Sequence, residues 1–311
     1  MWPKTRQGIF QLLATWLLCL FSTVAIAADQ LSATFDSQLD FVKVSLCFDG
    51  QAPEKLYRNR QAAAFSDGIF HEGKRLNMST SEYSLNLPDL PDDACVNWRV
   101  NLAAVLGKKD YRLAFKIGDD LLMTSNLWFW KGPMNRDIVV DIELPEGMSI
   151  STSWRELEST DSRMRFRPDK TSSDWESRIA VGTFKPQDIT IPGAHIRLAA
   201  IGNLTSRQSK RIKHWIEESV VSVTAISNQL PQPAPQVLVV PIGTRNEAVV
   251  HGKVLRGGGL AAVFYIDENR DLDEFSDDWT ATHEFSHMLL PYISSRDRWL
   301  SEGLASYYQN V

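Results

Sequence analysis

His283-Glu284-Phe285-Ser286-His287 and, with its acid Glu302 fifteen positions after His287, Trp299-Leu300-Ser301-Glu302-Gly303-Leu304-Ala305-Ser306-Tyr307-Tyr308 decide how the C-terminal part of this chain reads. The first stretch belongs to a predicted helix from about Asp277 to Leu290, which Pro291 ends, and the second to a helix from about Arg298 to Asn310. Residues four apart lie one turn up the same helix face, so the imidazoles of His283 and His287 can reach one ion. Glu284 precedes His287 by three positions, which puts its carboxylate beside that ion without making it a ligand. Glu302 sits among Leu300, Leu304 and Tyr307, and a carboxylate in such a setting needs a partner, for which a cation serves. Two histidines on an ordinary helix face are the plain alternative. Zinc accepts this nitrogen and oxygen donor set in roughly tetrahedral geometry at about 2.0–2.2 Å, with a fourth position open to water in catalytic sites.

Upstream of these helices, Val237-Leu238-Val239-Val240-Pro241 and Gly259 to Ile266 read as strands. Ser206 to Asn228 reads as an amphipathic helix, with Ile212, Trp215, Ile216, Val220 and Val223 at helical spacing. From about Leu31 to Ile191 the chain reads as β-rich. Short runs such as Phe41–Leu46, Tyr111–Phe115 and Asp137–Ile142 are punctuated by Asp49-Gly50, Gly132-Pro133 and Pro145-Glu146-Gly147. The expected fold class is α+β: a β-sandwich-like domain over residues 28–194, then an α+β segment over 195–311. Leu127-Trp128-Phe129-Trp130 reads as core, or as a stacking platform for a peptide or glycan.

The pair H-E-x-x-H and W-L-x-E-G-x-A-x-Y resembles the gluzincin zinc metallopeptidases, especially the M1 and M61 aminopeptidase families. The resemblance implies a thermolysin-like catalytic segment, a Zn2+ cofactor and a peptide or protein substrate. It also implies His283, His287 and Glu302 as metal ligands and Glu284 as general base. The fourteen residues between His287 and Glu302 are fewer than in the M1 pattern, which favours M61. M1 enzymes carry a Gly-x-Met-Glu-Asn strand whose Glu holds the substrate's free amine. Here Arg256-Gly257-Gly258-Gly259-Leu260-Ala261 stands in that place with no acid. Those glycines are open to two readings: close approach of a peptide as an added strand, or a flexible hairpin loop. The families draw their oxyanion-stabilising Tyr or His from further downstream than Val311. The chain therefore reads as C-terminally truncated, with Tyr307 and Tyr308 taken as helix packing. A zinc-binding scaffold without turnover, or a peptide- or glycan-binding protein using Trp128 and Trp130, is the alternative to an enzyme.

Composition narrows the field further. Of 311 residues 43% are hydrophobic and 23% charged, as in ordinary folded proteins, and the net charge of -5 gives no basis for a nucleic-acid partner. Lys4 and Arg6, an apolar run from Ile9 to Ile26 and Ala25-Ile26-Ala27 read as a cleaved signal peptide over 1–27, with a retained anchor as the alternative. The mature protein is then exported, periplasmic or secreted, with no stable membrane insertion. Cleavage leaves Cys47 and Cys95, an even pair for which a disulfide is expected and two buried thiols are the alternative. Asp267 to Glu274 imitates a calcium loop but carries Leu272 where glycine is needed, so it reads as a solvated turn.

Overall fold

A computed structural model describes residues 28–77, 79–160, 163–172, 175–231 and 234–310. The expected signal peptide lies outside the described residues. Asp29–Phe35 buries Leu31, Ala33 and Phe35 on one face and exposes Gln30, Ser32 and Thr34 on the other, the two-residue period of a half-buried strand. It is an inner strand of an eight-stranded sheet, parallel to Ile138–Glu143 and antiparallel to Phe41–Cys47. That sheet shares one core with a four-stranded sheet of Ser149–Ser151, Arg178–Gly182, Asp120–Thr124 and Ala114–Ile117. Tryptophans fill much of the space: Trp98 stacks on Trp130 at 4.8 Å, and Trp128 meets Trp154 edge-on at 6.0 Å. Trp128 and Trp130 are 0% and 1% exposed, which overturns the stacking-platform reading: both rings are consumed by the core.

Cys47 and Cys95 stand directly opposite one another on neighbouring strands and form the expected disulfide. Among the described residues, no helix is long and apolar enough to cross a membrane.

The second large sheet has five strands in the order Gln187–Ile191, Ala194–Ala200, Gln236–Pro241, Ala261–Ile266 and Val249–Leu255. It begins at Gln187, so the hairpin that spans residue 194 lies inside this sheet and not at a junction before it. The helices are α1 (Leu102–Gly107), α2 (Ser206–Ser227), α3 (Leu272–Ser276), α4 (Thr280–Met288) and α5 (Arg298–Gln309). One face of the sheet packs on α2 and α4, where Trp215, Ile216 and Phe285 meet Val237, Val239 and Phe264. The other face, with Leu238, Val240 and Val263, packs on Leu122, Ala180 and Phe184. Coverage on both faces explains why Gln236–Pro241 reads as an unbroken apolar run: every residue in it is buried. The whole is an α+β protein with several sheets. The acidic segment 267–274 is a solvated turn only in part, over residues 268–270, with Asn269 and Asp271 exposed. Asp267 is 1% exposed, its carboxylate accepts the backbone N–H groups of Arg245 (2.8 Å) and Asn269 (3.0 Å), and α3 starts at Leu272.

Candidate metal centre

Two elements run side by side along one wall of the molecule, the edge strand Val249–Leu255 and α4. They approach closely because residue 252 is glycine: a Cβ there would stand 2.7 Å from Glu284 Cγ and 2.8 Å from Thr280 Cγ2. The Val254 backbone N–H lies close enough to the Glu284 carboxyl to lower its pKa. At the far end, Arg256 donates to the carbonyls of His287 and Leu290, both at 2.9 Å, and satisfies acceptors that the end of α4 leaves open. Strand and helix are thus joined at three levels. The strand itself is held by its hairpin loop, where Ser153 Oγ and Trp154 Nε1 both donate to the Gly257 carbonyl at 3.2 Å. Gly257 and Gly259 lie so close to the backbones of Glu176 and Ser153 that neither leaves room for a Cβ. The glycine run is therefore neither a peptide-contacting strand nor a flexible loop; it plugs the hairpin into the β-rich part.

Helix α5 crosses beside α4 and brings Glu302 to the two histidines. Glu302 Oε2 lies 3.2 Å from His283 Nε2 and 3.4 Å from His287 Nε2, and the three donor atoms fall within 4.8 Å of one another. A tetrahedral ion with bonds of about 2.1 Å has ligand–ligand edges of about 3.4 Å, so this donor set fits zinc. The other face of each imidazole is also engaged. Gln309 Oε1 accepts from His283 Nδ1 at 3.0 Å, and Ser301 Oγ lies 3.2 Å from His287 Nδ1. With the protons on Nδ1, both Nε2 lone pairs face Glu302, the arrangement that ligating histidines use. Burial, with His283 adding to it, holds His287 below the ordinary histidine pKa despite Glu302, which favours the neutral, ligating form. Glu302 stays below the ordinary carboxylate range: burial raises it, but the hydrogen bond from Arg298 and the neighbouring imidazoles outweigh that.

Glu284 differs from Glu302 in kind. Burial pushes its carboxyl up to about 7, with Glu302 adding to the rise and His283 and the Val254 N–H opposing it. All four motif residues line one cleft of about 1170 Å³, together with the edge strand, Trp175, Glu176, Trp279 and Tyr292. The structure thus brings together every residue that the motifs singled out. It departs from expectation on α5, where Ala305 alone is fully buried and Tyr307 is 62% exposed, so Tyr307 does not pack. Gly252, Val254, Arg256, Ser301 and Gln309 were not legible as site residues. Only Ser301, adjacent to Glu302, stood within a motif whose position could have suggested it.

No protein-family model matches the chain, and no curated protein sequence matches it. Solved structures do. An aminopeptidase N family protein from Idiomarina loihiensis superposes with a TM-score of 0.61 at 15% identity, over 91% of this chain and 54% of that one. Native leukotriene A4 hydrolase from Saccharomyces cerevisiae superposes with a TM-score of 0.53 at 13% identity, over 91% and 47%. At these identities the likeness is one of fold, and the chain spans about half the length of each.

Proposed function

We propose that the chain is a zinc-dependent peptide hydrolase of the gluzincin type, in which the five-stranded sheet from Gln187 onward and its helices carry the site and the β-rich residues before it form a separate domain. The observation that carries this reading is the convergence of His283, His287 and Glu302 within 4.8 Å, in the same cleft as Glu284. A zinc ion held by those three side chains supplies Lewis acidity, polarising a scissile carbonyl and acidifying a water molecule towards a pKa of about 7. Glu284 receives the proton of that water on its carboxylate and returns it to the leaving amine nitrogen. A carboxyl whose pKa stands at about 7 is matched to taking and giving a proton near neutrality. The close approach of the strand at Gly252 holds that carboxyl in place, and the Nδ1 partners Gln309 and Ser301 hold the imidazoles. Aminopeptidase-like action is favoured by the fold shared with an aminopeptidase N family protein, and the short link between His287 and Glu302 favours the M61 pattern over M1. An exported, periplasmic or secreted location accords with the Cys47–Cys95 disulfide.

The test is turnover of a mixed peptide library by the zinc-loaded chain and by Glu284→Gln, followed by mass spectrometry. Loss of the base lowers turnover by about a hundred- to ten-thousand-fold while zinc stays bound. Equal turnover by both proteins contradicts the role given to Glu284.

A further inference from the structure

Trp279, the residue before α4, is 57% exposed and lines the cleft. Trp299 is more exposed still but does not line it, and Trp175, which does, is taken up by the Tyr292 ring at 4.6 Å. The Trp279 carbonyl accepts the His283 N–H at 3.0 Å, and its ring meets the His283 imidazole at 5.1 Å, so a ligand histidine fixes where the indole stands. An extended peptide rises about 3.4 Å per residue, which puts this ring within about two residues of the bond that the metal site would cut. A large ring held beside a reacting centre and left open to water is a surface for a substrate side chain.

The charge around the ring decides which side chain. The edge strand and α4 run the same way, with Gly252 beside Thr280 and Glu284, and Arg256 at the carbonyls of His287 and Leu290. Their N-terminal ends therefore share one end of the cleft, where Glu247, Asp277 and Asp278 stand with Trp279. Asp278 is spent on the Thr280 N–H, which its carboxylate accepts at 2.8 Å. The carboxylates of Asp277 and Glu247 are exposed and make no hydrogen bond and no ion pair among the described residues.

The cations that line the cleft lie elsewhere. Arg256 is committed to the far end of α4, and Arg298 donates to Glu302 at 3.1 Å. Lys253 alternates with Gly252 onto the opposite face of the sheet, beside Arg178 and Glu176. The end of the cleft at Trp279 thus joins an open aromatic face to uncompensated negative charge.

We propose that Trp279 forms a subsite for a basic side chain of the peptide, a lysine ammonium or an arginine guanidinium, and that Asp277 and Glu247 supply the charge that makes the cleft select cationic peptides. The inference rests on the peptide-hydrolase reading for its class of ligand and on Trp279 for its specificity. The indole face attracts a cation through its quadrupole, the aliphatic stem packs on the ring, and the carboxylates add charge-assisted contacts. A neutral side chain of the same length keeps only the packing.

The experiment measures binding of short peptides by calorimetry to the full, zinc-loaded Glu284→Gln chain, which holds substrate without cleaving it. The peptides are acetylated and amidated at their ends, so that charge comes from the side chain alone. Arginine, its neutral isostere citrulline, and phenylalanine are moved through each position in turn. The expected result is about tenfold tighter binding of the arginine member than of the citrulline member at one position. Trp279→Leu lowers that ratio at least threefold, as does Asp277→Asn with Glu247→Gln, and all three together bring it to about one. The acid-to-amide pair leaves the affinity for the citrulline peptide within about twofold, which a general structural loss would not. A ratio near one at every position, a ratio unchanged in the combined variant, tighter binding of phenylalanine than arginine at that position, or no peptide binding at all overturns the inference. The two readings fail separately. Arginine-selective binding with no cleavage by the wild-type chain refutes the hydrolase alone, and cleavage without preference for a basic side chain refutes the role of Trp279 alone.

Discussion

Gly252 owes its place to what its missing side chain would strike. A methyl group there meets Glu284 Cγ and Thr280 Cγ2 inside 3 Å, and neither is the free end of a long side chain. Gly252→Ala is expected to lower stability by about 1–3 kcal/mol through overpacking and to reduce turnover at least tenfold by displacing Glu284. Urea unfolding and peptide kinetics on the same preparation read both effects. Asp267 is a second residue whose role is local. Burial raises its pKa, but the N–H groups of Arg245 and Asn269 and the Arg270 guanidinium outweigh this and leave it below the ordinary value. A carboxyl depressed on folding stabilises fully above its unfolded pKa of about 3.9 and loses that contribution as pH falls through the lower folded value. Asp267→Asn is therefore expected to cost about 1.5–3 kcal/mol at pH 7, and the difference from wild type is smaller at about pH 2. A difference that stays constant between the two pH values contradicts the assignment.

Among the elements, the Val249–Leu255 hairpin decides the shape of the cleft. Its loop is locked into the β-rich part through Gly257, Gly258 and Gly259, and Gly259→Ala drives a Cβ into the Ser153 backbone. The expected outcome is a loss of more than about 2 kcal/mol, read as a lower urea midpoint, since backbone cannot yield as a side-chain tip does. This hairpin was the element hardest to read from sequence. Val249-Val250-His251-Gly252-Lys253 has neither a two-residue nor a helical period, because a register shift between Val249 and His251 breaks the alternation and the strand has one open edge. Helix α2 and α4, by contrast, were legible to within a turn, since Ile212, Trp215, Ile216, Val220 and Val223 bury one continuous stripe and Pro291 stops α4. Tyr111–Phe115 was misplaced. The strand starts at Ala114, after a turn in which the Asp110 carboxylate takes the Arg112 backbone and side-chain N–H groups. The convergence of His283 and His287 was legible because a four-residue spacing on a helix fixes geometry by itself, whereas Glu302 was singled out by the resemblance of the second motif. The outer partners Gln309 and Val254 were not legible, since they depend on how α5 and the hairpin pack.

At the scale of the whole molecule, stability and chemistry draw on different sheets. The Cys47–Cys95 disulfide closes a loop across a sequence separation of 48 on the eight-stranded sheet, whereas the metal-motif residues stand on helices packed on or beside the five-stranded one. Replacing both cysteines by serine is expected to remove about 4 kcal/mol of stability by the chain-entropy estimate while leaving metal stoichiometry unchanged. Thermal unfolding and elemental analysis of the double variant check the two halves of that statement. The central claim is narrower: three side chains from two helices form one metal site, with a fourth beside it that is no ligand. Its most direct test is the zinc content of the purified chain, measured for wild type, Glu302→Ala and Glu284→Gln. One zinc per chain in wild type and Glu284→Gln, with loss in Glu302→Ala, is the predicted result; a wild type without zinc, or full retention in Glu302→Ala, contradicts it.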